Sequence, residues 1–257
     1  MIKFFRKIRY NLMETGKTGK YFKYAIGEII LVVIGILIAL SINNWNEEKK
    51  EQQDEYLALK SLYSEFVESR ELFNQGQRHH EMIFDGMQYL LEILDAKRVN
   101  ESMVDSIYWR LDRSAWSSGI FEPSRGIVNS LINSGKQNII RNDSLKSLLI
   151  QWNDQVISFQ NTERLAQDYK FTYLFPLISK LTQLPSKLKR SDPNQSDVSH
   201  GEVDLDLLQS KVFYNYLNQC WVYKLNILAE GKLTSKGQKV KEALDNIISL
   251  IEKELEK

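Results

Sequence analysis

Three histidines, one cysteine, a Gly-Lys-Thr run and a set of large aromatics are the residues of this chain whose types suit chemistry. His79 and His80 are adjacent, so on a helix they point about 100° apart. A metal-binding pair on one helix face needs i and i+4 spacing. Glu81 and Asp85 do have that spacing, so a carboxylate–histidine metal site can be drawn there. The ordinary reading of the same residues is an exposed polar helix start. His200 falls in a polar stretch and is expected to be solvated. Gly16-Lys17-Thr18 resembles the end of a phosphate-binding loop, but the glycine that loop requires five residues earlier is Asn11, and no strand precedes it.

Cys220 sits among Tyr216, Leu217, Trp221 and Val222, an apolar setting with helical periodicity. A single cysteine forms no intrachain disulfide, and a reactive thiol wants an electropositive, accessible site. Cys220 therefore reads as a small buried hydrophobe. Trp109, Trp116, Trp152, Trp221 and Tyr223 could line a ligand pocket, yet at helical spacing aromatics more often form core. No nucleophile elbow, zinc signature or glycine-rich cofactor loop is present in the sequence. The sequence yields no catalytic, cofactor-binding or metal-ligating residue, so an enzyme is not expected.

The elements around these residues are helical. Twelve glycines and four prolines in 257 residues are few turn formers, and Leu, Lys and Glu abound. The net charge of +1 hides an asymmetry. Residues 1–23 hold seven basic groups (Lys3, Arg6, Lys7, Arg9, Lys17, Lys20, Lys23) and one acid, Glu14, so the remainder is net acidic. A mildly acidic domain has no general attraction for phosphate backbones, and nucleic-acid binding is not expected.

Ile29 to Asn46 is uncharged, and Ile29–Leu40 is almost purely aliphatic. Ala25–Ile42 gives 18 mainly apolar residues. At about 1.5 Å per residue they span roughly 27 Å, one hydrocarbon core. Tyr21, Phe22 and Tyr24 at one end and Trp45 at the other fit interfacial anchors. The excess of Lys and Arg before the span places the N-terminus in the cytoplasm. Ala39 and Ser41 form a small-x-small pair that a signal peptidase could accept, but the basic leader is long and the apolar run exceeds the usual signal core, so an uncleaved anchor is expected. Glu28 lies about one turn inside the cytoplasmic edge, where its carboxylate can reach the headgroups, Lys20 or Lys23. Gly27, Gly35 and Ala39 offer points of close helix approach. Met1, Phe5, Ile8 and Leu12 at helical spacing, among basic residues, suit a short helix lying on an anionic leaflet.

Beyond Trp45 the spacing predicts a series of helices. Leu59, Leu62/Tyr63, Phe66 and Phe73 mark one inner face. A turn is expected at Asn74-Gln75-Gly76, followed by a helix with Ile83, Met87, Leu90 and Leu94 inward. Further helices are expected from Glu101 to Arg113 after Asn100, from Ile127 to Ile132 closed by Ser134-Gly135, and from Asn142 or Asp143 with Leu145, Leu148/Leu149, Trp152, Val156 and Phe159 inward. Pro176 bends or ends the last of these. Residues 186–204 read as a polar loop. Asp204–Ala229 reads as one helix, and the last starts near Ser235 with Gln238 as a capping box and Val240, Leu244, Ile247, Ile251 and Leu255 inward.

The run Tyr24-Ala25-Ile26-Gly27-Glu28-Ile29-Ile30-Leu31-Val32-Val33-Ile34-Gly35-Ile36-Leu37-Ile38-Ala39-Leu40, followed by Ile42-Asn43-Asn44-Trp45-Asn46-Glu47, resembles the signature of a family of single-pass inner-membrane proteins of Bacteroidota with no established activity. The leader Met1-Ile2-Lys3-Phe4-Phe5-Arg6-Lys7-Ile8-Arg9 and the motif Leu131-Ile132-Asn133-Ser134-Gly135-Lys136 resemble the same family. The resemblance implies an inner-membrane protein, draws notice to Glu28, and transfers no catalytic residue.

The expected architecture is all-α: a basic cytoplasmic leader (1–23), a transmembrane helix (24–45) and an extracytoplasmic, periplasmic antiparallel helical bundle (46–257). The residues expected to matter in the span are Glu28, Gly27, Gly35, Ala39 and Trp45. The expected partners are the lipid bilayer and a membrane protein or second copy of the chain. The expected role is a partner-binding or self-assembling module; the alternative is a ligand-sensing, receptor-like domain whose output would lie on a separate protein, since 23 cytoplasmic residues hold no output domain.

Overall fold

The computed structural model describes residues 10, 18–116, 119–181, 203–230 and 235–257. Every regular element among them is helical. The order is α1 (Thr18–Asp95), a 3-10 turn (Glu101–Met103), α2 (Val104–Trp116), α3 (Gly126–Asn133), a 3-10 turn (Lys136–Ile139), α4 (Asp143–Tyr169), a π turn (Lys170–Leu174), α5 (Phe175–Leu181), α6 (Leu205–Leu208), α7 (Lys211–Ile227) and α8 (Lys236–Leu255). Most of the leader and most of the polar loop fall outside the described residues.

The chain divides into two compact units, residues 1–57 and 58–257. In the first, α1 carries the aliphatic run Ile26–Ile42 with its side chains exposed. This is the one helix among the described residues that is long and apolar enough to cross a membrane, and none of its most apolar window is buried by the described residues.

The second unit has two apolar clusters. One gathers Leu59, Leu62, Phe66 and Phe73 of α1, Val128 of α3, the inner face of α4 from Leu145 to Ala166, Ile227 and the inner face of α8. The other gathers Ile83 to Ile93 of α1, Ile107 and Leu111 of α2, Leu174, α5, Leu208 and Phe213 to Cys220 of α7. The inner faces expected from periodicity are therefore the ones that pack, with Tyr63, Leu94, Leu148 and Leu255 at the margins.

Four local expectations are corrected. No turn forms at Asn74-Gln75-Gly76: α1 continues through it to Asp95, because the buried stripe Phe73, Gln77, His80, Ile83 keeps helical register across Gly76, which costs a helix only about 1 kcal/mol. Consequently His79 and His80 lie mid-helix rather than at a helix start. The Asp204–Ala229 helix is two pieces, since Ser210 accepts from the Phe213 N–H and begins α7 anew. Asn100 forms no side-chain cap to the backbone; its Oδ1 accepts from Ser102 Oγ, and a 3-10 turn precedes α2. Trp109 is 44% exposed rather than core, whereas Trp152 is fully buried.

The two N-cap oxygens act as read, while the capping box does not close. Asn142 accepts from Leu145 N–H at 3.0 Å and caps α4. Ser235 accepts from Gln238 N–H at 2.9 Å, although the Gln238 amide reaches forward to Glu242 instead of closing a capping box. Pro176 ends α4 in an unexpected way. It has no N–H, and its ring would meet the carbonyl four residues back. The turn before it widens, with Phe175 N–H donating to Lys170 O, and the helix resumes.

Gly237, in the first turn of α8, packs against the end of α7. A Cβ there would collide with Ile227 O and lie 2.9 Å from the Ile227 and Leu228 carbonyl carbons. Backbone cannot yield as a flexible side chain would. Gly237→Ala is expected to cost about 2 kcal/mol, a fall of roughly 4–8 °C in the melting temperature of the detergent-solubilised chain by circular dichroism. Gly76→Ala, with open space around it, is expected to melt at or above the wild-type temperature.

Candidate functional site

Between the two apolar clusters the inner faces turn polar while keeping their register. On α1 the sequence of buried positions Phe73, Gln77, His80, Ile83 continues one stripe. On α4, Gln160 and Glu163 follow Val156 and Phe159; on α7, Lys224 falls between Cys220 and Ile227. On α1 and α4 the polar pairs are three apart and so share a face, and α7 supplies Lys224 alone.

These side chains satisfy one another. Lys224 Nζ donates to His80 Nδ1 at 2.8 Å. An ammonium only donates, so His80 Nδ1 accepts and its proton sits on Nε2, which faces Glu163 Oε1 at 3.1 Å. The other carboxylate oxygen of Glu163 accepts from Phe121 N–H at 2.8 Å. Gln160 Nε2 donates to Phe121 O at 2.7 Å. Both backbone groups of Phe121 are thus taken by side chains of α4. Gln77 does the same for the end of α7, donating to Ile227 O at 3.0 Å and accepting from Ala229 N–H at 2.8 Å.

A second buried glutamate holds the same stretch of chain. Glu65 accepts from Ile127 N–H at 2.8 Å, Val128 N–H at 3.2 Å and Ser124 Oγ at 3.3 Å. These are donors at the start of α3, where Arg125 provides no side-chain cap. A carboxylate from α1 replaces the missing cap and suits the positive end of the helix. The Gly119–Val128 segment is therefore pinned at two places, with the Phe121 ring seated against Phe73, Phe159 and Trp152 at 5.4, 6.0 and 6.4 Å.

Burial governs the charges. His80, Glu163 and Lys224 are 3, 4 and 7% exposed. Burial pushes Glu163 up to about 7, against the opposing pull of the Phe121 N–H and of the Lys224 and Arg164 charges. Burial, then the Lys170 charge, brings Lys224 down to about 8. Burial lowers Lys170, in the π turn, to about 8. Burial and the Lys224 charge hold His80 at about 3, so its imidazole is neutral and bridges an ammonium and a carboxylate. Cys220 is buried and its thiol is pushed up to about 12, which keeps it protonated and inert.

A cleft of about 80 Å³ opens beside this layer, walled by Phe73, His79, His80, Phe121, Phe159 and Glu163. The metal arrangement drawn from the sequence does not assemble: His80 turns inward while Glu81 and Asp85 face solvent, and no group of three or more His, Cys, Asp or Glu among the described residues is placed to hold a metal ion. The residues singled out in the apolar run belong to the first unit. Gly27 and Gly35 have open space where a Cβ would stand, Ala39 and Trp45 are exposed, and Glu28 is half-buried on the same helix.

The layer is not legible as a unit in the sequence because its members lie far apart along the chain. Its signal was there: charged or amide residues in phase with an apolar stripe. Two outcomes test its role. Glu65→Ala is expected to cost roughly 2 kcal/mol in denaturant unfolding, because three donors lose their acceptor. Lys224→Met leaves a buried carboxylate without its cation and is expected to cost about 3 kcal/mol at neutral pH. The folded Glu163 acid constant lies above its unfolded value, so its favourable contribution is complete below the usual carboxylate range and is lost as pH rises through about 7. The Lys224→Met deficit should therefore shrink on acidification and grow on the alkaline side, as read from unfolding midpoints across that range.

Over residues 28–151 the chain matches the model of a family of unknown function (DUF6090). That stretch holds the apolar part of α1, Glu65 with the segment it caps, Gln77 and His80; Glu163 and Lys224 lie beyond it. No curated protein and no solved structure matches the chain.

Proposed function

We propose that this chain is a single-span membrane protein whose C-terminal part, an antiparallel helical bundle on the outer side of the inner membrane, binds a membrane partner or a second copy of itself and performs no catalysis. The observation that carries this is the aliphatic run of α1, which nothing among the described residues covers. Ten of the twelve residues from Ile29 to Leu40 are Ile, Leu or Val. At roughly 0.3–0.6 kcal/mol each near a bilayer centre they favour insertion by about 3–6 kcal/mol. That matches or exceeds the roughly 3 kcal/mol an acid costs at mid-membrane, and Glu28 sits nearer the edge where the cost is smaller. The basic residues before the span supply the orientation.

The ligand-sensing reading draws support from one feature, the cleft against the Lys224–His80–Glu163 layer. Buried ionisable groups with displaced acid constants gather at functional sites more often than elsewhere.

Alkaline carbonate washing of membranes should leave the intact protein in the pellet, and a phosphatase fused after Lys257 should be active only if the C-terminus lies outside the cytoplasm. Release into the supernatant, or an inactive fusion, would contradict the anchored topology. Crosslinking in native membranes should give an adduct that weakens in Glu28→Gln; no adduct from either form would contradict the partner-binding role.

A further inference from the structure

We propose that the Lys224–His80–Glu163 chain is a proton-exchange site that sets how tightly the core grips the Gly119–Val128 segment. Three observations meet here. The hydrogen bonds run without a gap from Lys224 Nζ through both nitrogens of His80 to Glu163 and on to Phe121 N–H. The cleft reaches both His80 and Glu163, so water has access to the carboxyl end of the chain. The segment that Glu163 holds also forms a wall of that cleft, through Gly119, Ile120, Phe121 and Glu122.

The imidazole makes the chain reversible. If a Lys224 Nζ proton moves to His80 Nδ1 while the Nε2 proton moves to Glu163 Oε1, an ammonium–carboxylate pair becomes an amine–acid pair. No proton is gained or lost in that shift. Uptake of one proton from hydronium in the cleft, which becomes water, instead leaves Lys224 charged and Glu163 neutral. The two groups titrate as a unit, and the acid constants of about 7 and about 8 place the exchange near neutrality.

The direction of the effect follows from burial. With the segment seated, Glu163 is out of water, and burial is the first cause of its raised acid constant. With the segment lifted, the carboxylate hydrates and returns toward its usual range. The seated form therefore binds the proton more tightly, and acid tightens the grip while alkali loosens it. The other groups that act on the layer are Lys170 of the π turn, Arg164 of α4, Glu122 of the segment, His79 of α1 and the Cys220 thiol of α7. Among these, Cys220 stays protonated, and the constants of His79 and His80 are held below their usual range. This inference is independent of the anchored-module reading, since it concerns only the core of residues 58–257.

Hydrogen–deuterium exchange of the full chain in detergent micelles tests it, with rates scaled for intrinsic chemical exchange. Protection of the peptide covering residues 119–128 should be about tenfold greater at about pH 6 than at about pH 8.5, the ratio expected for a carboxyl whose constant moves between about 7 and the ordinary range. Glu163→Gln should flatten that dependence. Lys224→Met removes a cation that lowers the Glu163 constant and should move the midpoint upward by about one pH unit. A flat response in the wild type, or an unchanged response in Glu163→Gln, would overturn the proposal. Should Glu163→Gln melt before it can be measured, a Lys224→Met midpoint that stays in place or falls overturns it equally.

Discussion

An ammonium and a carboxylate share the middle of one core, and a neutral imidazole between them makes that arrangement tolerable. Taking either charge out of water costs several kcal/mol, and only a complete set of partners offsets it. Here the bonded partners run in series: Lys224 is bonded to His80, His80 to Glu163, and Glu163 to a backbone N–H that would otherwise be buried unpaired. The layer separates two apolar clusters and fixes the relative register of α1, α4 and α7, because a slip of any of them would leave a charge without a partner. The same requirement seats Phe121, and with Glu65 it determines how the chain enters α3.

Much of the fold was legible, and for one reason. Apolar residues recur at three- and four-residue spacing wherever a helix packs, so the faces built on Leu59 to Phe73, Leu145 to Phe159 and Val240 to Ile251 could be written from the sequence and are the ones buried. The caps Asn142 and Ser235 were legible because a side-chain oxygen before an apolar register has few other uses. The aliphatic run of α1 stood out by length and purity alone.

The misreadings have equally specific causes. Gly76 reads as a turn on local propensity, whereas a lone glycine costs little in a helix whose inner face packs on both sides of it. His80 looked solvent-exposed because its neighbours His79 and Glu81 are; only the spacing from Phe73 and Gln77 to Ile83 places it inward. Glu163 and Lys224 could not be paired from sequence, since they lie 61 positions apart on different helices. The π turn before Pro176 is a tertiary solution to a missing N–H, and nothing in the local sequence selects it over a simple break.

The account rests on Lys224 and Glu163 sensing each other through His80. A double-mutant cycle tests that most directly: denaturant unfolding of the full chain in detergent near neutral pH for wild type, Lys224→Met, Glu163→Gln and the double variant. The account predicts a coupling of about 2 kcal/mol, with the double variant more stable than the two single losses would sum to. Additivity within about 0.5 kcal/mol would mean that the two groups are buried independently, and the polar layer would not be the organising feature of this core.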